Sequence, residues 1–405
     1  MIYLNTRMAS ILFAFGIFFT ISCAQLGSSS NDEQQPPTTA EYEQQLERVT
    51  EELNRNPDNR ELEVEKAGLL AGLATNITIP DQRQPYYRNL RDLADTQKFR
   101  DGTTNSDIND KIKSAWTREQ SEAVRLLQQE NQEGMSDHTF GLIISHFENA
   151  ISLNPDSINT YSLLANTYYR HGDFNDAIHT LERSLERTDA AKPNIREKLA
   201  YLYLESGDIE SSIELYSTLV EDNPNDAHLR HGLANAFILN QSHEQAIDIL
   251  RPLTEQYNTR YEYQEALSAQ LYYNFAGQAD NMLNDGMVIG NDEADRLLAL
   301  LDEADSIFET LSEVLPFNEE QLLRSAAFYT SASAKLNTLK ESADEDAHER
   351  LTSQRESFLE KGLPVWEKLA ENHPENIEYV RALIEVYSAL GMEDEAESLQ
   401  RSYNL

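Results

Sequence analysis

The stretch YSLLANTY at residues 161–168 decides the fold, because its large and small residues recur at helical spacing. Gly172 follows it, and a second run with helical spacing carries Ala177 and Leu181. Ala165 and Ala177 are small enough to let two antiparallel helices approach each other, and the larger residues fill the space beside them. Gly172 supplies a turn conformation that other residues adopt only at a cost. We therefore predict a helix–turn–helix unit here.

The same unit returns along the chain at residues 199–216, 233–250 and 383–396. Six equivalent positions close successive units: Pro155, Asp189, Pro224, Asn258, Pro316 and Pro374. They are 34, 35, 34, 58 and 58 residues apart, so two consecutive units each carry 24 additional residues. We place these residues between the two helices of each unit, in longer helices with loops near residues 286–292 and 343–347. An extra short helix in the first insertion is the alternative.

These residues resemble the tetratricopeptide repeat, a pair of antiparallel helices that recurs every 34 residues. The resemblance implies an all-α fold, a right-handed superhelical solenoid of helix pairs in which no unit is stable alone. We assign residues 136–405 to the solenoid, with two extended repeats at about 259–374. Residues 41–135 have helical spacing but a degenerate repeat pattern, with an irregular connection expected around 100–109.

The N-terminus has the features of a secretory signal at residues 1–22: one charge at Arg7 and a short apolar run. The order Thr20-Ile21-Ser22-Cys23 resembles a bacterial lipobox, which implies lipidation of Cys23 and a membrane anchor. Ala24 follows, where an aspartate would imply retention in the inner membrane, so we expect the outer membrane. Residues 23–40 are rich in Ser, Gln, Pro and Thr, a composition typical of a flexible tether.

The charge balance excludes several classes of protein. Asp and Glu number 70 against 33 Lys and Arg, giving a formal net charge of −37 that repels nucleic acids. A single cysteine excludes an internal disulfide framework and cysteine-rich zinc sites. Only 10 of the basic residues are lysines, a bias that fits either adaptation to high salt or an ordinary acidic extracytoplasmic protein.

No motif of a known catalytic or cofactor site occurs in the sequence, neither a glycine-rich phosphate loop, H-E-x-x-H nor G-x-S-x-G. We therefore expect no enzyme activity and no cofactor. His228 and His231 lie three residues apart on one helix face, but no third ligand is identifiable, so we interpret them as a solvated pair rather than a metal site. The acidic run from Glu341 to Asp346 is interpreted as the solvated tip of an extended hairpin.

The resemblance also implies a binding surface, because in this family five positions on the first helix of each unit line the concave face. Mapping them onto three units gives Asn159, Ser162, Asn166, Tyr169 and Arg170; then Asn194, Glu197, Tyr201, Leu204 and Glu205; then His228, His231, Asn235, Ile238 and Leu239. Amides at Asn166 and Asn235 can donate to and accept from an extended peptide backbone. The fifth residue of each unit, which is Ser162, Glu197 or His231, is neither lysine nor arginine, so a clamp for a terminal carboxylate is not supported.

Together these features predict an outer-membrane-anchored, non-enzymatic scaffold that binds a protein or peptide partner, preferably neutral or basic, and no nucleic acid. The alternative is a carbohydrate-binding lipoprotein of the SusD kind, which combines a lipobox with repeat-like helix pairs but is usually longer.

Overall fold

The computed structural model describes residues 37–130, 135–187, 193–316 and 318–405. The predicted signal peptide, Cys23, the tether up to residue 36 and Asp189 lie outside the described residues. Within the described ranges the protein consists of seventeen α-helices, two short 3₁₀ turns and a single isolated β-bridge. The expected all-α, tetratricopeptide-like architecture of helix pairs is confirmed. No helix in the described part of the chain is long and apolar enough to cross a membrane.

The N-terminal region contains five helices: α1 (Thr39–Arg55), α2 (Arg60–Asn76), α3 (Gln84–Asp101), α4 (Ser106–Glu130) and α5 (Asp137–Leu153). Thr38 and Glu41 form a capping box at the start of α1. α1 pairs with α2 and α4 pairs with α5, whereas α3 is an added helix that packs on α2 and α5. The expected irregular connection at 100–109 is helical at both ends, since α3 ends at Asp101 and α4 begins at Ser106.

A second group of helices follows at the regular repeat length: α6 (Ile158–His171), α7 (Phe174–Arg187), α8 (Pro193–Ser206), α9 (Ile209–Asp222), α10 (Ala227–Leu239) and α11 (His243–Gln256). We call residues 158–256 the regular stretch. Gly172 and Gly207 form the turns within its first two helix pairs, with φ of 93° and 88°, the left-handed region where glycine is unstrained. Ala165 and Ala177 are both buried between helices, as close helix packing requires.

The next four helices are much longer: α12 (Tyr261–Asn284), α13 (Asn291–Val314), α14 (Glu319–Leu339) and α15 (Glu345–Asn372). We call residues 261–372 the extended stretch. The added residues lie in these longer helices, and no additional α-helix separates α12 from α13. The two hairpin tips contact each other, because Ile289 N–H donates to the Ser342 carbonyl and Asp344 N–H donates to the Ile289 carbonyl, both at 2.9 Å.

One last described pair, α16 (Ile377–Ala389) and α17 (Glu393–Tyr403), follows the extended stretch. Gly391, with φ of 74°, forms the turn between them. α16 buries Val380, Leu383, Ile384 and Val386 against the preceding helices. α17 buries only Ala396, so its apolar face is covered on one side alone.

Candidate functional site

The predicted binding residues lie on α6, α8 and α10, which are the first helices of three consecutive helix pairs. We call the surface that these residues form the helix A face. Its exposed members are Asn159, Asn166, Arg170, Asn194, Tyr201, Glu205, His228 and Leu239. Its half-buried members are Ser162, Tyr169, Glu197, His231, Asn235 and Ile238. Leu204 differs from the others, since it is 7% exposed and packs in the core beneath α8. It is therefore not available to a partner.

A tyrosine pair joins α6 to α8 on this face. The hydroxyl oxygens of Tyr169 and Tyr201 are 3.0 Å apart, and the rings meet edge to face with centroids 5.9 Å apart. Burial is the main cause that raises the pKa of Tyr201, and the hydrogen bonds to Tyr169 and Glu205 raise it further. The Tyr201 phenol therefore stays protonated under all ordinary conditions. Tyr201 keeps 39% of its surface exposed and offers a partner both a ring and a hydroxyl.

The two histidines of α10 occupy different environments. Nε2 of His228 lies 3.0 Å from a carboxylate oxygen of Glu197 on α8, and this hydrogen bond raises the pKa of His228. His231 instead packs against Tyr263, with ring centroids 5.0 Å apart, and burial lowers its pKa. We expected a solvated pair, but only His228 fits that description, because Tyr263 on the neighbouring α12 covers His231. No group of three or more metal-ligating side chains occurs within the described ranges.

The two predicted amides hold equivalent places on α6 and α10. Asn166 is exposed on α6 and Asn235 is half-buried on α10, at the same position of their units. Neither side chain makes a hydrogen bond to another residue of the described chain, so both can exchange solvent for a peptide donor or acceptor. The tyrosine pair and the Glu197–His228 pair lie on the same row of helices, so ring, amide and charged groups alternate along the helix A face.

The same numbering of positions applies to α12, the first helix of the next unit, which was not among the three units mapped from the sequence. Tyr273 holds the equivalent of the last position on α12, is 37% exposed and stacks on His243 at 5.6 Å. Glu265 occupies the fifth position and accepts a hydrogen bond of 2.7 Å from Arg324 on α14. Tyr273 is the thirteenth residue of its unit, and this position would have identified it from the sequence.

A buried polar cluster in the N-terminal region was not predicted at all. The Glu119 carboxylate is completely buried; its Oε1 accepts from Arg83 at 3.0 Å and from Tyr87 at 2.6 Å. Its Oε2 lies 2.6 Å from His146 Nδ1 and 3.4 Å from the Asn149 amide. Burial alone would raise the pKa of Glu119, but its hydrogen bonds and the Arg83 charge lower it to about 2. Because protein groups occupy both oxygens, this cluster has the character of a structural network that joins Arg83 and α3 to α4 and α5.

Residues 203–271, from the end of α8 into α12, match the family model described as tetratricopeptide repeat. A comparison with curated protein sequences found no match. These results support the repeat prediction and give no support to the carbohydrate-capture alternative.

Three solved structures illustrate the similarity in fold. The C-terminal part of a TPR repeat-containing protein from Cytophaga hutchinsonii is 16% identical over 69% of this chain and 92% of that chain, with a TM-score of 0.46. A tetratricopeptide repeat protein from Parabacteroides merdae is 15% identical over 67% and 98%, with a TM-score of 0.41. YrrB, described as a TPR protein with an unusual peptide-binding site, is 15% identical over 47% and 84%, with a TM-score of 0.34.

Proposed function

Because the chain contains tetratricopeptide repeats, we propose that it is a non-enzymatic scaffold that binds a protein or peptide partner on the helix A face. The observation that carries this proposal is the row of accessible amide, tyrosine and charged side chains on α6, α8 and α10. Hydrogen bonds from an extended peptide backbone would satisfy Asn166 and Asn235, and the Tyr201 ring would supply apolar contact area.

The charge of this face favours a neutral or basic partner. Glu197 and Glu205 lie on α8, and Glu262 and Glu265 lie on the first two turns of α12. The whole chain carries a formal net charge of −37, so an acidic partner would be repelled during encounter.

The test is partner capture in the native envelope with the full chain, using mild crosslinking followed by purification. Changing Asn166, Arg170 and Asn235 together to alanine should abolish recovery of a specific partner. A matched control changes Asn175, Arg187 and Gln256 to alanine; these are exposed residues of similar chemistry on the second helices α7 and α11. The proposed surface is wrong if the first variant retains the partner, or if the control loses it equally.

We also propose that the scaffold is a lipoprotein of a bacterial outer membrane, attached through Cys23. Support comes from the sequence, where the only cysteine of the chain follows an apolar signal-like segment. Metabolic labelling with palmitate should mark the wild-type protein and not the Cys23→Ser variant. Label retained on that variant would refute the anchor, and separation of inner from outer membranes would locate it.

A further inference from the structure

A groove separate from the helix A face lies at the C-terminal end of the described chain, between α15, α16 and α17. Its volume of about 560 Å³ lies within the roughly 300–1,000 Å³ of ordinary ligand clefts. Six apolar residues line it: Ala370 on α15 and Pro374 just after that helix ends, Leu383 and Tyr387 on α16, and Leu399 and Tyr403 on α17. We call this the C-terminal groove.

The spacing of these apolar residues suits a helix. The two residues on α16, and likewise the two on α17, are four positions apart, so each of these helices presents one apolar row on two successive turns. Rows at this spacing form the ridges and grooves into which the side chains of another helix pack. Leu399 and Tyr403 on α17 remain half-buried, and only Ala396 of that helix is fully covered. An added helix would therefore complete the burial of α17.

The rim of the C-terminal groove is acidic. Glu367, Glu371, Asp394 and Glu395 line it, and no lysine or arginine does so. The Tyr387 hydroxyl donates to a Glu367 carboxylate oxygen at 2.8 Å, which holds that carboxylate beside the apolar floor. The other three carboxylates are exposed and free to pair with cations on a bound segment.

We propose that the C-terminal groove receives an amphipathic helix of another protein, with apolar residues on its inner face and lysines or arginines along its edges. The contact line along α17 from Asp394 to Tyr403 is about 14 Å long at the helical rise, or two and a half turns. A second copy of this chain fits poorly, because it would bring the carboxylates of two strongly acidic chains together.

The experiment measures binding of a synthetic peptide probe to the full chain by fluorescence anisotropy. The probe is a helical peptide of about three turns with leucines at i, i+3, i+4 and i+7 and flanking lysines. A second peptide keeps the leucines and replaces each lysine by glutamate. We expect saturable one-to-one binding of the basic probe, weakened by added salt, and at least about tenfold weaker binding of the acidic peptide.

Two serine variants locate the binding site without disturbing the core. Ser398→Arg places a bulky cation inside the C-terminal groove from an exposed position on α17 and should weaken the basic probe at least about tenfold. The matched control, Ser353→Arg, makes the same change at an exposed position of α15 outside the groove and should leave affinity within about twofold.

Several outcomes overturn the proposal. If the Ser398→Arg and Ser353→Arg variants bind the basic probe with equal affinity, the probe is attracted to the acidic surface in general and not to the C-terminal groove. Loss of binding in the Asn166, Arg170 and Asn235 triple variant would move the site to the helix A face. Self-association of the wild-type chain in sedimentation, abolished by Ser398→Arg, would make a second copy the occupant.

Discussion

The regular and the extended stretches are built from the same helix pair and differ in how the pair is stabilised. Helices of the regular stretch have 13 or 14 residues, whereas those of the extended stretch have 21 to 28. Most buried residues of α6–α9 fall into small clusters, each shared by neighbouring helices, whereas α10 and α11 contribute buried residues to the large cluster of the extended stretch. In the extended stretch one apolar cluster runs from α10 to α15 without interruption.

This difference shows that the repeat pattern specifies the base of each hairpin and leaves its length open. Additional turns can be added beyond the base when they bring their own buried residues, such as Phe275, Leu297, Leu336 and Leu351. Stability in a solenoid is close to a sum over neighbouring units, so a longer shared core makes one part of the array more resistant to local opening.

The largest expected effect comes from truncating a core ring in the extended stretch. Phe275 on α12 is fully buried, so Phe275→Ala should lower the free energy of unfolding by about 3–5 kcal/mol. Hydrogen exchange should become faster throughout α12–α15, because these helices share one core. Leu181→Ala in the regular stretch is the control, and its faster exchange should remain around α6–α8. If both variants loosen the whole chain alike, the two stretches form a single cooperative unit.

A buried polar contact provides the second test. Asp305 on α13 accepts a hydrogen bond of 2.9 Å from the Tyr329 hydroxyl and lies 2.5 Å from the Lys361 ammonium. Asp305→Ala leaves the buried hydroxyl without its acceptor and should cost about 1–3 kcal/mol in urea unfolding.

The control for this contact is Glu309→Ala, since exposed Glu309 pairs with the same lysine at 2.7 Å. It should change stability by less than about 0.5 kcal/mol. Equal losses for the two variants would mean that the ion pair, and not the buried hydroxyl, matters.

Replacing two glycines by alanine should change the stability of the protein in opposite directions. A Cβ at Gly232 of α10 would collide with the Tyr216 ring, so Gly232→Ala should destabilise the regular stretch by about 1–3 kcal/mol. Gly277 of α12 has open space around it, and Gly277→Ala should stabilise the extended stretch by about 0.5–1 kcal/mol. Thermal unfolding of each variant measures the sign, and two shifts in the same direction would contradict the packing difference.

The smallest effect concerns the histidine contact on the helix A face. Because the hydrogen bond to Glu197 raises the pKa of His228 above 6.5, the protonated folded form is favoured. The added stability is fully present below the unfolded pKa and is lost as pH rises through the folded pKa. His228 is half exposed, so the gain is only a few tenths of a kcal/mol. NMR titration should give a midpoint above 6.5 in wild type and a lower one in Glu197→Gln; unchanged midpoints would exclude the contact in solution.

The sequence predicts the fold well because its signals are local. Gly172, Ala165 and Ala177 each serve a turn or a close approach within one helix pair, and the 58-residue spacing is visible by counting. The structure accordingly has helix pairs at each of these places.

Other features depend on contacts between distant segments and could not be predicted in this way. The cluster around Glu119 brings together residues from the 3₁₀ turn Pro80–Arg83, α3, α4 and α5, and nothing in their local sequence indicates that they meet. Burial of Leu204 and the cover of His231 by Tyr263 are likewise set by neighbouring units. Binding positions mapped by offset alone therefore include one core residue, Leu204.

The contact between the two hairpin tips gives the solenoid an uneven elasticity. The extended hairpins are joined at their base by the chain near residue 316 and at their tips by the Ile289 hydrogen bonds, which makes a closed frame. In the described regular stretch no backbone hydrogen bond links one turn to the next. Under a pulling force the frame must shear its shared core before it yields, whereas the regular repeats can bend first. Mechanical strain would thus be concentrated in the part of the chain that carries the helix A face.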